Sequence, residues 1–173
     1  MKTEEKSGKS IWINTGRWGY SGDRTENVIW RLQNGELDGI HPRLATLLIG
    51  TNNTDGNHYT EITQPVDLAG AIWEICAIIR EKLPETDIIL LGILPYGYNE
   101  NLRNNINMST NKIISAFPDK DPKIHYRDLG YLFVDEKGKV NKELMPDFLH
   151  PNAEGHRLMF EALKKDMIRY IGE

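Results

Sequence analysis

Ile88-Ile89-Leu90-Leu91-Gly92-Ile93-Leu94 follows the turn residues Pro84-Glu85-Thr86-Asp87 and contains nothing more polar than one glycine. A continuous apolar run bounded by turn signals is the pattern of a strand buried on both faces. Such a strand needs helices above and below it. The neighbouring stretches supply them.

Upstream, Pro65 opens a helix whose apolar residues Val66, Ala69, Trp73, Cys76, Ile79 and Leu83 recur on one face, a stripe suited to packing on a sheet. Pro42 introduces a second strand, Leu44 to Ile49. Before it, Thr25 can cap a helix through Val28, Ile29 and Leu32 to a stop near Gly35. Downstream, a helix is expected from Leu102 to Phe117 and a strand from Ile124 to Asp128. A last helix runs from Pro151 through Met159, Leu163, Met167 and Tyr170 to Gly172. Strands alternating with helices predict an α/β fold: a three-layer, doubly wound, flavodoxin-like parallel sheet. Met1 to Ser10 is charged and reads as a solvated tail. The expected organisation is residues 1–18 as a polar tail or remnant of a first strand-helix unit, and 19–173 as one domain.

A chain of 173 residues with 39% hydrophobic content is the size of one core. The net charge of -4 lacks the basic excess that phosphate neutralisation needs, which argues against nucleic acid and anionic membrane as partners. No apolar run approaches the roughly 18 residues of a transmembrane helix. Met1-Lys2-Thr3-Glu4-Glu5-Lys6 lacks the apolar core of a signal peptide, so the chain as written reads as cytoplasmic. The lone Cys76 falls on a helical stripe and reads as a buried structural thiol. Gly8-Lys9-Ser10 is no phosphate loop, because Thr3 stands where that motif needs glycine and no apolar strand precedes it.

Doubly wound sheets bind ligands beyond the carboxyl ends of their strands. Gly50-Thr51-Asn52-Asn53 ends one strand, Pro95-Tyr96-Gly97 ends the next, and Asp147-Phe148-Leu149-His150 precedes the last helix. A carboxylate three residues before an imidazole can hold one ring nitrogen and leave the other as a base, although on spacing alone this is more often a helix entrance. Ser21-Gly22-Asp23 can aim a backbone N–H at a developing oxyanion, and Asn52 can add a side-chain donor. Each taken singly is more often turn or loop chemistry.

Taken in order, Ser21-Gly22-Asp23-Arg24-Thr25, Gly50-Thr51-Asn52-Asn53 and Asp147-x-x-His150 resemble the SGNH (GDSL-like) hydrolases. Within them the chain is most similar to platelet-activating-factor acetylhydrolase catalytic subunits and related bacterial acetylesterases. Val28-Ile29-Trp30-Arg31-Leu32-x-Asn34-Gly35-Glu36-Leu37 and Leu91-Gly92-x-Leu94-Pro95-x-Gly97 extend the match. The resemblance implies a short-acyl carboxylic ester hydrolase acting on a small-molecule or sugar ester without metal or organic cofactor. It implies oxyanion donors at Gly22 and Asn52, a base at His150 oriented by Asp147, and weaker pocket roles for Tyr20, Asp23 and Tyr96. A homodimer is compatible with it.

The resemblance also exposes a gap. That family's first block is a strand ending in Gly-Asp-Ser, whose serine is the nucleophile, and nothing here matches it. Ser7, Ser10 and Ser21 follow neither a Gly-Asp pair nor a buried strand, so no nucleophile is identified. Arg17-Trp18-Gly19 also departs from the family, which has an asparagine two places before the glycine. The expectation is a domain that lost its first central strand through a wrong start, a frameshift or a gene fragment. A secretion signal could have been lost with that strand, leaving the compartment open. Ser10 to Asn14 is expected to fill part of the vacated place in the sheet. The alternative is an inactive ligand- or carbohydrate-binding remnant with Trp18, Tyr20, Tyr96 and Tyr98 as sugar-facing aromatics, a role less common for such residues than packing. A flavodoxin-like phosphate binder would want a glycine-rich loop after its first strand, and none is present.

Overall fold

The computed structural model describes residues 2–4, 10–12, 16, 19–58 and 61–171. Two short strands, β1 (Lys2–Glu4) and β2 (Ser10–Trp12), precede an alternating series: α1 (Thr25–Gln33), β3 (Leu44–Leu47), α2 (Pro65–Lys82), β4 (Asp87–Leu91), α3 (Leu102–Ile114), β5 (Ile124–Arg127) and α4 (Ala153–Ile171). Strands β3, β4 and β5 form a parallel sheet in that order, with Leu47 opposite Leu90 and Leu91 opposite Arg127.

The central strand is buried as its composition demands. Ile88 and Leu90 turn toward α1, α2 and α3, packing with Leu32, Leu68, Ile72, Ile75 and Ile114. Ile89 and Leu91 turn the other way, onto Phe133, Met145, Met159 and Leu163 beneath α4. Alternate residues of one strand thus seed two cores, which makes the domain a three-layer α/β structure. Each fully buried Ile or Leu contributes about 1.5–3 kcal/mol by leaving water. An ion pair and a ring stack also fasten α4: Arg127 grips the Asp166 carboxylate at 2.6 and 3.0 Å, and the His125 ring stacks on Tyr170 at 3.9 Å.

Several boundaries differ from the sequence expectation. Thr25 is the first residue of α1 and not its cap; Arg24 occupies the extended cap position. The helix start is satisfied from a distant loop, where Asn53 accepts the Thr25 N–H at 3.0 Å and donates to the Thr25 hydroxyl at 2.9 Å. Helix α3 ends at Ile114, and Phe117–Asp119 forms a separate 3₁₀ turn around Pro118, which disfavours helix at the residue before it. Helix α4 begins at Ala153 because Asn152, not Pro151, caps it by accepting the Gly155 N–H at 3.0 Å. The expected stop at Gly172 lies outside the described residues.

The N-terminal expectation is corrected more substantially. Lys2–Glu4 forms a strand, and Ser10–Trp12 pairs antiparallel with it, Thr3 opposite Ile11. Ser10–Trp12 therefore does not enter the main sheet as expected; Ile13 and Asn14 lie outside the described residues. A local antiparallel pair bonds the facing backbone groups of both segments across a short connection, at a smaller loop-closure cost than a distant partner requires. Among the described residues, β3 has a strand partner only on its β4 side.

Candidate active site

Gly22 lies in a turn closed by the Asp23 N–H bonding the Tyr20 carbonyl at 3.2 Å, and its φ of 81° is the left-handed conformation that glycine adopts without penalty. Asp23 sits on a guanidinium fork: Arg31 donates to its two oxygens at 2.9 and 2.6 Å. The same guanidinium covers the Tyr20 ring at 4.6 Å. These Arg31 bonds hold the Asp23 carboxyl below the usual range although burial opposes them. Tyr20 and Asp23, both expected near the substrate, are thereby tied into the turn. Ser21, Gly22, Asp23, Arg24, Glu26 and Asn27 line a surface cleft.

Beyond β3 the chain reverses at Gly50, whose φ is 114° and where an added Cβ would stand 2.9 Å from the Ile93 side chain. The 3₁₀ turn Thr51–Thr54 follows and sends its two asparagines to different tasks. Asn53 turns inward to the start of α1. The Asn52 amide reaches the glycine turn instead, donating to the Asp23 carbonyl at 2.9 Å. One of the two N–H donors of that amide is so engaged, one residue along the chain from Gly22.

Asp147 and His150 form a tight unit. One Asp147 oxygen accepts the Leu149 and His150 backbone N–H groups at 3.0 and 2.7 Å, while the other meets His150 Nδ1 at 2.7 Å. Those bonds, the His150 amide foremost, pull the Asp147 carboxyl down to about 2. It is therefore ionised at neutral pH and accepts only. In the neutral ring Nδ1 must then carry the proton, and Nε2 is left as the basic atom. Phe148 takes a positive φ of 58° inside this loop, a sparsely populated conformation for a bulky residue.

A side chain absent from the sequence reading joins these loops. Arg103, near the start of α3, is buried; it donates to the Thr51 carbonyl at 3.0 Å and faces the Asp55 carboxylate at 3.6 Å. Its guanidinium also lies 4.1 Å over the Tyr96 ring. The next link is Gly97, whose N–H donates to the Phe148 carbonyl at 2.9 Å. The turn at Gly22, the loops after β3 and β4, and the Asp147–His150 loop are thus joined in one series of contacts through Asn52, Arg103 and Gly97. Arg103 carries no local sequence signal, because Thr51 and Asp55 lie about fifty residues away.

The chain matches the model of the GDSL-like Lipase/Acylhydrolase family over residues 4–158. It is 31% identical over 156 residues to platelet-activating factor acetylhydrolase IB subunit alpha1 of Homo sapiens, covering 90% of this chain and 64% of that protein. It is 36% identical over 152 residues to the alpha2 subunit of Gallus gallus, covering 88% and 63%. The chain therefore spans less than two thirds of these relatives. Among solved structures, a GDSL-like lipase from Bacteroides thetaiotaomicron superposes with a TM-score of 0.63 at 25% identity, covering 86% of this chain and 72% of that one. An acetyl xylan esterase superposes with a TM-score of 0.72 at 17% identity, covering 87% and 79%, a likeness of fold.

Proposed function

Because the chain belongs to the GDSL-like lipase/acylhydrolase family, we propose that its rim is the site of a short-acyl carboxylic ester hydrolase. The observation that carries the reading is the 2.7 Å contact between Asp147 and His150 Nδ1, made by a carboxylate that also holds the His150 backbone. An ester carbonyl at this rim would direct its oxygen toward the Gly22 N–H and the Asn52 amide, donors suited to the negative charge that grows there during attack. His150 Nε2 would take the proton of the attacking group and return it to the departing alcohol, with Asp147 fixing the ring and stabilising the imidazolium. Tyr20, Asp23 and Tyr96 would border the alcohol side.

The attacking group is the missing part. The sequence contains no Gly-Asp-Ser, and Gly22-Asp23 is followed by Arg24. Without an acyl-accepting serine, the remaining route is base-assisted attack by water. The catalysis that remains in the serine-protease template when a triad member is removed is roughly 10³–10⁴ over water. The same absence favours the second reading, an ester- or carbohydrate-binding module that keeps the rim without turnover. Both readings are tested by treating the chain with a fluorophosphonate, mapping any adduct by mass, and following p-nitrophenyl acetate beside it. The hydrolase reading expects an unlabelled chain with slow hydrolysis above the buffer rate that His150→Ala removes, and the binding-module reading an unlabelled chain with hydrolysis at the buffer rate. A stoichiometric phosphonyl adduct on any serine contradicts both.

A further inference from the structure

The described residues hold a second carboxylate–imidazole unit built like the first. Asp55 stands three residues before His58, as Asp147 stands three before His150. One Asp55 oxygen accepts the Asn57 backbone N–H at 3.0 Å, and the other meets His58 Nδ1 at 2.7 Å. The Asp55 side chain is 9% exposed and the His58 side chain 78%, so the carboxylate holds the ring from below and presents it to solvent. Burial pushes the Asp55 carboxyl up, but the Asn57 amide, His58 and Arg103 outweigh it and leave the group below its usual range. As an ionised acceptor it fixes the proton of the neutral ring on Nδ1, and the outward Nε2 becomes a hydrogen-bond acceptor.

The buried Asp55 serves the fold as the partner of Arg103, but the outward ring does not. An exposed imidazole contributes little to folding, whereas an oriented one with a defined acceptor is what a ligand donor requires. Its location narrows the ligand. Asp55 directly follows the turn that carries Asn52, its N–H bonding the Asn52 carbonyl at 3.3 Å, and Arg103 connects it to Tyr96 on the next loop of the rim. An acceptor beside an ester site selects an alcohol that still carries hydroxyl donors. A simple alkyl alcohol or a quaternary ammonium has none to offer.

We infer that Asp55 and His58 form a specificity element that binds a free hydroxyl on the alcohol portion of the substrate, so that the site takes acetylated polyols or sugars. Placing the ester beside it rests on the function proposed above. The test uses imidazole ¹H–¹⁵N spectra of the whole chain titrated with methyl acetyl-β-D-xylopyranoside and, separately, with ethyl acetate, which has the same acyl group and no hydroxyl. The His58 signals shift saturably with the sugar ester and stay in place with ethyl acetate. His58→Ala weakens sugar-ester binding about fivefold, the size of one hydrogen bond, and leaves the ethyl acetate response at His150 unchanged. His58→Gln, which keeps an acceptor, recovers part of the loss, and Asp55→Asn, which releases the ring, does not leave binding at the unmodified level. Unmoved His58 signals, equal responses to both esters, or undiminished affinity in His58→Ala overturn the inference. A responding His58 beside a His150 silent to both esters supports the hydroxyl site and refutes the ester site.

Discussion

The Asn52 amide donates to the Asp23 carbonyl at 2.9 Å, fastening the loop after β3 to the glycine turn twenty-nine residues earlier. Its neighbour Asn53 makes the complementary connection inward. It accepts the Thr25 N–H, donates to the Thr25 hydroxyl and accepts the Thr63 N–H through its backbone carbonyl at 2.9 Å. Adjacent asparagines thus divide the work of shaping the rim and starting a helix.

That division predicts unequal costs. Asn53→Ala leaves the buried Thr25 N–H without its acceptor and the Thr25 hydroxyl with Glu26 as its remaining partner, and should lower stability by about 2–3 kcal/mol, whereas Asn52→Ala removes one part-buried bond and should cost about 1 kcal/mol. Urea unfolding measures both through the midpoint. A smaller shift for Asn53→Ala than for Asn52→Ala would refute the assignment.

Acid should expose the Asp147 interaction. Its folded-state value near 2 lies below the ordinary 3.8, so the carboxylate stabilises the fold above about pH 4, and that contribution fades as the pH falls toward 2. With 56% of the side chain exposed, solvent screening keeps the effect small. The stability gap between the natural chain and Asp147→Asn should close between pH 5 and pH 2. A gap that stays constant across that range would mean the carboxylate is not ionised and bonded as described.

The Cys76 thiol is fully buried, and burial together with the charge of Asp121 pushes it up to about 12. Thiolate is the reactive form, so Ellman's reagent at pH 8 should leave the native chain essentially unmodified and titrate one thiol in guanidinium. Rapid native labelling would contradict the packing of α2.

Ile89 is fully buried against the layer beneath α4, whereas Val66 on the first turn of α2 is exposed. Ile89→Ala should cost 2–5 kcal/mol and Val66→Ala less than about 0.5 kcal/mol, readable from the same denaturation curves. Similar costs at the two sites would place the core elsewhere.

The layers were legible because their cause is local. The unbroken apolar run at Ile88, the stripe from Ala69 to Leu83, from which Val66 drops out as exposed, and the i, i+3 spacing of Asp147 and His150 each express their geometry within a few residues. Features decided over distance were not legible. The acceptor for the first N–H of α1 comes from Asn53, Ser10–Trp12 pairs with Lys2–Glu4 and not with the main sheet, and Arg103 acquires its role only when α3 docks beside Thr51. Asp55 and His58 repeat the spacing of Asp147 and His150. That repetition was the available signal, but an exposed imidazole in a polar loop shows its buried carboxylate only in three dimensions.

The proposed function requires His150 and Asn52 to serve one ester. The direct measurement is an NMR titration with ethyl acetate that follows the His150 ring and the Asn52 side-chain amide in the same samples. Both should shift along a single saturation curve with one dissociation constant. Two unrelated curves, or movement of one group while the other stays still, would separate the base from the oxyanion donor and contradict the proposed function.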